Sequence, residues 1–328
     1  MELNETKVSV IVPMYNVAHV LNKAIDTLFA QTLKGVEYIF VDDCSTDNTR
    51  QLLISSLPAK EGVTVKILHH ECNRGVAAAR NTGLDNATGK YVYYVDADDY
   101  IEPYTLERLY NHAVENNADI VGCEWFLSFE KSERHMKQAN VVTGNELFVK
   151  MAHGVMRWNL WLFMVHRSLY ELPEMRFIEG MNMGEDMMVM MKLAINAKNV
   201  FIIHEPFYHY IQTNNGSLTK NFNAYRHQVT ANVNEVGKYL KKQNRDELYD
   251  AYTQLKLTLK LPLLISDKKK DHETWLNWFP EANSSVDGNK ELPWRTRYIQ
   301  KAAAKKQFWV LKLYYKLIIK FVYGIIYR

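Results

Sequence analysis

Lys90–Tyr100, read KYVYYVDADDY, constrains the chain more than any other stretch. Five of the six residues Tyr91–Asp96 are aromatic or β-branched and suit a strand. The run ends in three carboxylates, Asp96, Asp98 and Asp99, with Ala97 between the first two. A buried strand that delivers acids to its carboxyl end puts them where open α/β sheets bind ligands. A tight turn at Ala97 would aim Asp96 and Asp98 at one hard cation. Oxygen ligands of this kind suit Mg²⁺ or Mn²⁺ shared with substrate phosphates. Taken alone, the same acids read first as an acidic turn capping the next helix, since Glu102-Pro103 follows directly.

The preceding residues supply the rest of a layered fold. Lys7–Pro13, Val36–Val41 and Val63–His69 are short runs rich in Val and Ile and read as buried strands. Between them, Leu21, Ile25, Leu28 and Phe29 fall at helical spacing, Asp47 and Asn48 precede a helix over Arg50–Leu57, and Val76–Ala87 is an alanine-rich helix. The order β-α-β-α-β-α-β, with crossovers this long, predicts a parallel sheet. The second strand, like the fourth, runs into paired acids, Asp42-Asp43.

After Pro103 the alternation weakens. Tyr104–Asn116 predicts an amphipathic helix, Asp119–Cys123 a strand that Glu124–Phe129 extends, Lys131–Asn140 a charged loop, and Thr143–Met151 a helix capped by Thr143 or Asn145. Gly184-Glu185-Asp186 opens a methionine-rich helix, whose Met residues are core filler. Val200–His204 and Phe207–Tyr210 read as two short strands or extended segments. Beyond them the chain is helical, with Pro262 ending or bending one helix and Glu281–Glu291 as the linker candidate.

Five segments, in this order, resemble the family 2 glycosyltransferases: SVIVPMYN at Ser9–Asn16, FVDDCSTDNT at Phe40–Thr49, NRGVAAARNTG at Asn73–Gly83, GKYVYYVDADDYIEP at Gly89–Pro103, and GED at Gly184–Asp186. The resemblance covers residues 7–215. It implies a GT-A fold, a Rossmann-like sheet with helices on both faces, here with a C-terminal helical extension. It implies a catalytic domain over 1–220, with a nucleotide-sugar half at 7–103 and an acceptor half at 104–220, and a helical region over 221–328. It further implies an inverting transfer from a nucleotide-diphospho-sugar, a UDP-sugar first of all, to a saccharide or lipid-linked acceptor in cell-surface polysaccharide synthesis.

Residue roles carry over on the matching positions. Pro13, Tyr15, Asn16, Asp42, Asp43, Arg80, Asp96 and Ala97 fall where the family holds the donor. Tyr15 offers a flat face to a nucleobase, and Asp43 matches the carboxylate that accepts the uracil N–H. Arg80 reads as a diphosphate contact or as one side of a structural ion pair. Asp98, with Asp96, matches the ligands of a divalent metal, Mn or Mg, while Asp99 fixes the turn. Asp186 matches the general base, with Glu185 organising its loop; the ordinary alternative for Asp186 is a helix N-cap. Trp158 and Trp161 suit a sugar face or the core. His204 and His209 are minor candidates for metal or phosphate neighbours, and Gln212–Thr219 for a loop over the diphosphate.

Two other classes compete. A sugar nucleotidylyltransferase also uses such a sheet, but it needs a Gly-rich phosphate loop, and Ser9–Val17 has no glycine. A non-catalytic nucleotide-sugar binding module would not need Asp43, Asp96, Asp98 and Asp186 together.

The end of the sequence adds a second feature. From Arg295 to Arg328 there are nine Lys or Arg and no Asp or Glu, although the whole chain is only +3. Within Phe308–Arg328, Lys312, Lys316 and Lys320 recur every fourth residue, with Val310, Tyr314, Ile318, Phe321 and Ile325 expected on the opposite, apolar face. Such a helix is expected to lie on an anionic membrane surface or to pack on the body or a second subunit as a homodimer. A nucleic-acid partner is not expected. Three cysteines with no CxxC pair argue against a disulfide scaffold or zinc site. With no signal-like segment at the start of the sequence, the expected place is the cytosol, peripheral on the inner face of the cell membrane.

Overall fold

The computed structural model describes residues 5–57, 63–212 and 224–318. Most of the polar loop Gln212–Thr219, and the tail beyond 318 with Lys320, Phe321 and Ile325, lie outside the described residues.

The first half builds as its hydrophobic runs require. Strands β1 (Val8–Met14), β2 (Val36–Asp42), β3 (Thr64–His69) and β4 (Tyr91–Tyr94) pair in parallel in the order β3-β2-β1-β4. β1, β2 and β4 are almost wholly buried, which is why they lack the alternation of a half-exposed strand. Helices α1 (Leu21–Phe29), α2 (Thr49–Ser55) and α3 (Val76–Asp85) form the crossovers. α3 lies against β1 so closely that a Cβ on Gly83 would stand 2.3 Å from Cγ2 of Ile11.

The sheet then changes direction. A short β5 (Tyr100–Ile101) follows the acids, and α4 (Thr105–Glu115) leads into β6 (Ile120–Ser128). The sheet continues β4-β8-β6-β9-β5, with β8 (Phe163–His166) antiparallel to both β4 and β6. β9 (Val200–Ile211) is one strand, not two. It runs parallel to β6 and crosses Pro206 through a register shift opposite Glu124, a bulge being where a strand tolerates proline.

The Lys131–Asn140 loop expectation fails in part. Glu133–Met136 forms β7, antiparallel to β6 from Trp125 to Ser128. Its side chains are exposed or half-exposed, so backbone pairing holds it without an apolar stripe. Helices α5 (Gly144–Ala152), α6 (Arg167–Tyr170) and α7 (Glu185–Asn196) complete this part. Thr143 caps α5: its Oγ1 accepts from Glu146 N at 3.2 Å, and Glu146 Oε2 accepts from Val142 N at 2.8 Å.

Two compact units result, residues 1–147 with 157–236, and residues 148–156 with 237–328. α8 (Arg226–Lys242) runs across the division. The second unit holds α9 (Tyr249–Lys260), α10 (Lys269–Asn277), α11 (Trp294–Ala304) and α12 (Phe308–Tyr314). Pro262 ends α9 inside a 3-10 turn, Leu261–Leu264. Glu281–Glu291 is not a linker. Ala282 and Asn289 are buried, Ser285 O accepts from Gln254 Nε2 at 2.8 Å, and Asn289 Nδ2 donates to His153 O at 2.9 Å. Lys260 is fully buried in this unit. Its ammonium donates to the carbonyls of Trp278 and Phe279, and burial pushes its pKa down to about 7.

Candidate active site

The carboxyl ends of β1, β2 and β4 carry the first group of candidates. Asp42 and Asp43 are both buried, and two adjacent carboxylates cannot be buried without partners. Each has a histidine. Asp42 Oδ2 is 3.0 Å from His69 Nδ1, and Asp43 Oδ1 is 2.7 Å from His70 Nδ1. The parallel register places Asp42 beside His69, so the two dipeptides meet at the same sheet edge. Sequence reading missed both histidines. The signal was an acid pair and a histidine pair ending neighbouring strands.

Asp43 also organises the next loop. It accepts from Arg74 N at 2.9 Å and from Gly75 N at 2.7 Å. Gly75 has φ +87°, and a Cβ there would overlap the side chain of Asn182, so this bend requires glycine. A carboxylate has about four acceptor positions, and contacts among the described residues take three of them.

Asn16 has φ 53° and acts on the opposite loop, its Oδ1 accepting from Thr46 N at 2.8 Å and its N donating to Ser45 Oγ at 3.0 Å. Tyr15, beside it, is 47% exposed, which excludes a buried strand-end aromatic. Pro13 is half-buried and Ala97 buried.

Arg80 joins two stretches that are far apart in sequence. It is buried, with Nη1 2.5 Å from Glu185 Oε1 and Nη2 3.3 Å from Asp96 Oδ1. Burial works against its charge, but the carboxylates of Glu185, Asp96 and Asp186 outweigh it and raise the pKa further. The DADD turn and the GED turn are thereby pinned together.

Asp96 and Asp98 are half-buried. Burial raises the Asp96 carboxyl, Arg80 opposes that, and Asp98 adds to it. Asp99 is buried beneath the turn, accepting from Tyr208 Oη at 2.8 Å and from Ile211 N at 2.8 Å. Asp96 N donates to the same Tyr208 oxygen at 3.2 Å, so β9 fixes the turn from below.

Asp186 is the second residue of α7, whose N-cap is Gly184 at φ 79°. It is therefore not the cap. Its Oδ1 accepts from Met187 N at 2.8 Å. Burial, then the Glu185 charge, push its carboxyl up to about 7 against the pull of Arg80.

The remaining candidates are otherwise engaged. Trp161 is buried and stacks on Tyr208 with ring centroids 4.2 Å apart, so it belongs to the core, while Trp158 is half-buried. His209 is buried between Glu102 and Glu133 at 2.9 and 2.8 Å, and His204 lies 3.0 Å from Glu124. These contacts pair both histidines with carboxylates.

Among the described residues no group of three or more His, Cys, Asp or Glu is arranged to hold an ion. Two half-buried carboxylates flanking Ala97 nevertheless fit a hard cation that takes its other ligands from phosphate and water. The Asp98 charge that raises Asp96 is the kind of repulsion such an ion relieves.

Residues 9–189 match the family described as Glycosyl transferase family 2. The chain belongs to that family. A Bacillus subtilis protein named as an uncharacterized glycosyltransferase, EpsJ, is 33% identical over 220 residues, 65% of this chain and 63% of its own length. The Staphylococcus aureus poly(ribitol-phosphate) beta-N-acetylglucosaminyltransferase TarP is 26% identical over 295 residues, covering 86% of this chain and 88% of TarP. The fold is that of S. aureus TarS, solved in complex with UDP-GlcNAc, at a TM-score of 0.62 and 17% identity, over 94% of this chain and 91% of that one. Family 2 membership removes the nucleotidylyltransferase alternative.

Proposed function

We propose that this family 2 chain is an inverting glycosyltransferase that moves a sugar from a UDP-sugar to a hydroxyl of a saccharide or lipid-linked acceptor. The observation that carries the reading is Arg80, which ties the DADD acids to the GED turn and so brings Asp186 to the donor acids. The UDP-GlcNAc complex of TarS and the naming of TarP as an N-acetylglucosaminyltransferase support the donor class.

In this reading Tyr15 stacks on uracil, and Asp43 accepts its N–H. Asp42 and Asn16 hold the two loops. Asp98 and Asp96 would hold a divalent ion, Mn²⁺ or Mg²⁺, which when bound would supply Lewis-acid neutralisation of the diphosphate leaving group. Asp186 takes the proton of the attacking hydroxyl. A carboxyl near 7 is a far better base than one at its ordinary 3.8 and is still half ionised at neutral pH. Inversion follows because a single displacement needs one base and no second nucleophilic carboxylate.

The test is release of UDP from a panel of UDP-sugars with Mn²⁺ or Mg²⁺ and mixed saccharide acceptors. UDP-GlcNAc is the first donor expected to turn over. A chain that binds no nucleotide-sugar in the presence of either metal would refute the reading. Binding without release, unchanged by Asp186→Asn, would favour the non-catalytic module.

A further inference from the structure

The second unit carries an exposed surface that the donor chemistry does not use. α12 buries Val310 and Leu311 at 8% and 0% exposure, and Tyr314 and Ile318 are half-buried. Val310, Tyr314 and Ile318 are residues the sequence placed on the apolar face opposite the lysines, and their burial agrees with the alternative that this face packs on protein. Among the described residues of this stretch, the large apolar side chains that face solvent are Trp309, Leu313 and Leu317, at 68%, 50% and 54% exposure and four residues apart. Lys312 and Lys316 are exposed along the same stretch.

We infer that Trp309, Leu313 and Leu317, with Lys312 and Lys316, form a docking surface for an anionic lipid bilayer. The inference deepens the transferase reading by giving its lipid-linked acceptor a place to be met.

Charge selects this occupant. Not one acid occurs from Arg295 to the end of the sequence, against nine basic residues. A second copy seated on the same stripe across a two-fold axis would set lysines against lysines. A bilayer with anionic headgroups instead gives each lysine a partner and leaves its ammonium wet. Tryptophan suits the headgroup level, and the two leucines reach the acyl boundary beneath it. The contact is interfacial: among the described residues no helix is long and apolar enough to cross a membrane.

Deleting the tail would remove the buried Val310 and Leu311 as well, so point changes on exposed atoms make the cleaner test. The full chain is sedimented with vesicles of phosphatidylcholine alone, or of phosphatidylcholine with phosphatidylglycerol. The unchanged protein pellets with the anionic vesicles only, and less as salt is raised. Lys312→Gln with Lys316→Gln weakens this about 30-fold at low salt and has little effect at high salt. Trp309→Ser, Leu313→Ser and Leu317→Ser together weaken it roughly tenfold or more at every salt concentration. UDP titration in the same samples separates the two readings: pelleting without UDP binding supports the lipid surface while counting against the transferase. Equal pelleting of the triple variant and the unchanged chain overturns the inference. So does a dimer in light scattering that the triple variant converts to monomer, which would assign the stripe to a second copy.

Discussion

Asp186 is poised by its neighbours, and each leaves a measurable mark. Burial and Glu185 raise its carboxyl to about 7, and Arg80 holds it back. The pH profile of kcat/KM reports the free enzyme, so the rate should climb with pH, with a midpoint near 7, and then level off as Asp186 loses its proton. Glu185→Gln removes the nearby negative charge and should shift that limb to lower pH. The same change removes the shorter of the two ion pairs of buried Arg80 and leaves it Asp96 and the nearby Asp186 charge, so thermal stability should drop, by less than the roughly 3–5 kcal/mol of a buried charge left uncompensated. A limb that stays in place in Glu185→Gln would detach it from Asp186. Asp186→Asn should keep UDP affinity and cut turnover by roughly 10² or more. Preserved turnover with lost affinity would make it a binding residue instead.

At the scale of elements, the edge formed by β2, β3 and the loop before α3 depends on His70. It contacts Asp43 on one side and Thr82 Oγ1 at 2.9 Å on the other. His70→Ala should loosen the loop that Asp43 gathers and weaken UDP binding. It should also lower stability by about 1–3 kcal/mol, the scale for a buried polar group losing its partner. Unchanged UDP affinity in a folded variant would show that Asp43 needs no bracing. The elements differ in how readily the sequence announces them. β1, β2 and β4 are legible because parallel strands buried on both faces read as unbroken apolar runs. β7 is illegible because ERHM has no apolar face to show, and β9 reads as two strands because Pro206 breaks its pattern. The polar Glu281–Glu291 segment looks like a linker, yet hydrogen bonds pack it. Asp43 and Asp186 could be singled out from their motifs. The pairing of Arg80 with Glu185 could not, because tertiary approach is not written in local spacing, whereas that of Asp42 with His69 left only the trace of an acid pair and a histidine pair at the ends of two strands.

At the scale of the whole chain, chemistry-bearing residues gather in the first unit, and the second carries buried and surface charges of other kinds. Lys260 gives that second unit a pH signature. Its folded pKa of about 7 lies below the ordinary 10.5, so between those values the unfolded chain takes up a proton that the folded one excludes. Stability should therefore rise with pH from about 7 upward through this group, and Lys260→Met should flatten that rise in thermal unfolding. The central claim concerns the first unit: that its DADD turn holds a metal against the diphosphate of a UDP-sugar. Calorimetric titration of UDP, with and without Mn²⁺, into the unchanged chain and Asp98→Asn tests this most directly. The account predicts that Mn²⁺ strengthens UDP binding in the unchanged chain and that Asp98→Asn abolishes most of that gain. Mn²⁺-dependent UDP affinity that survives Asp98→Asn intact would contradict it.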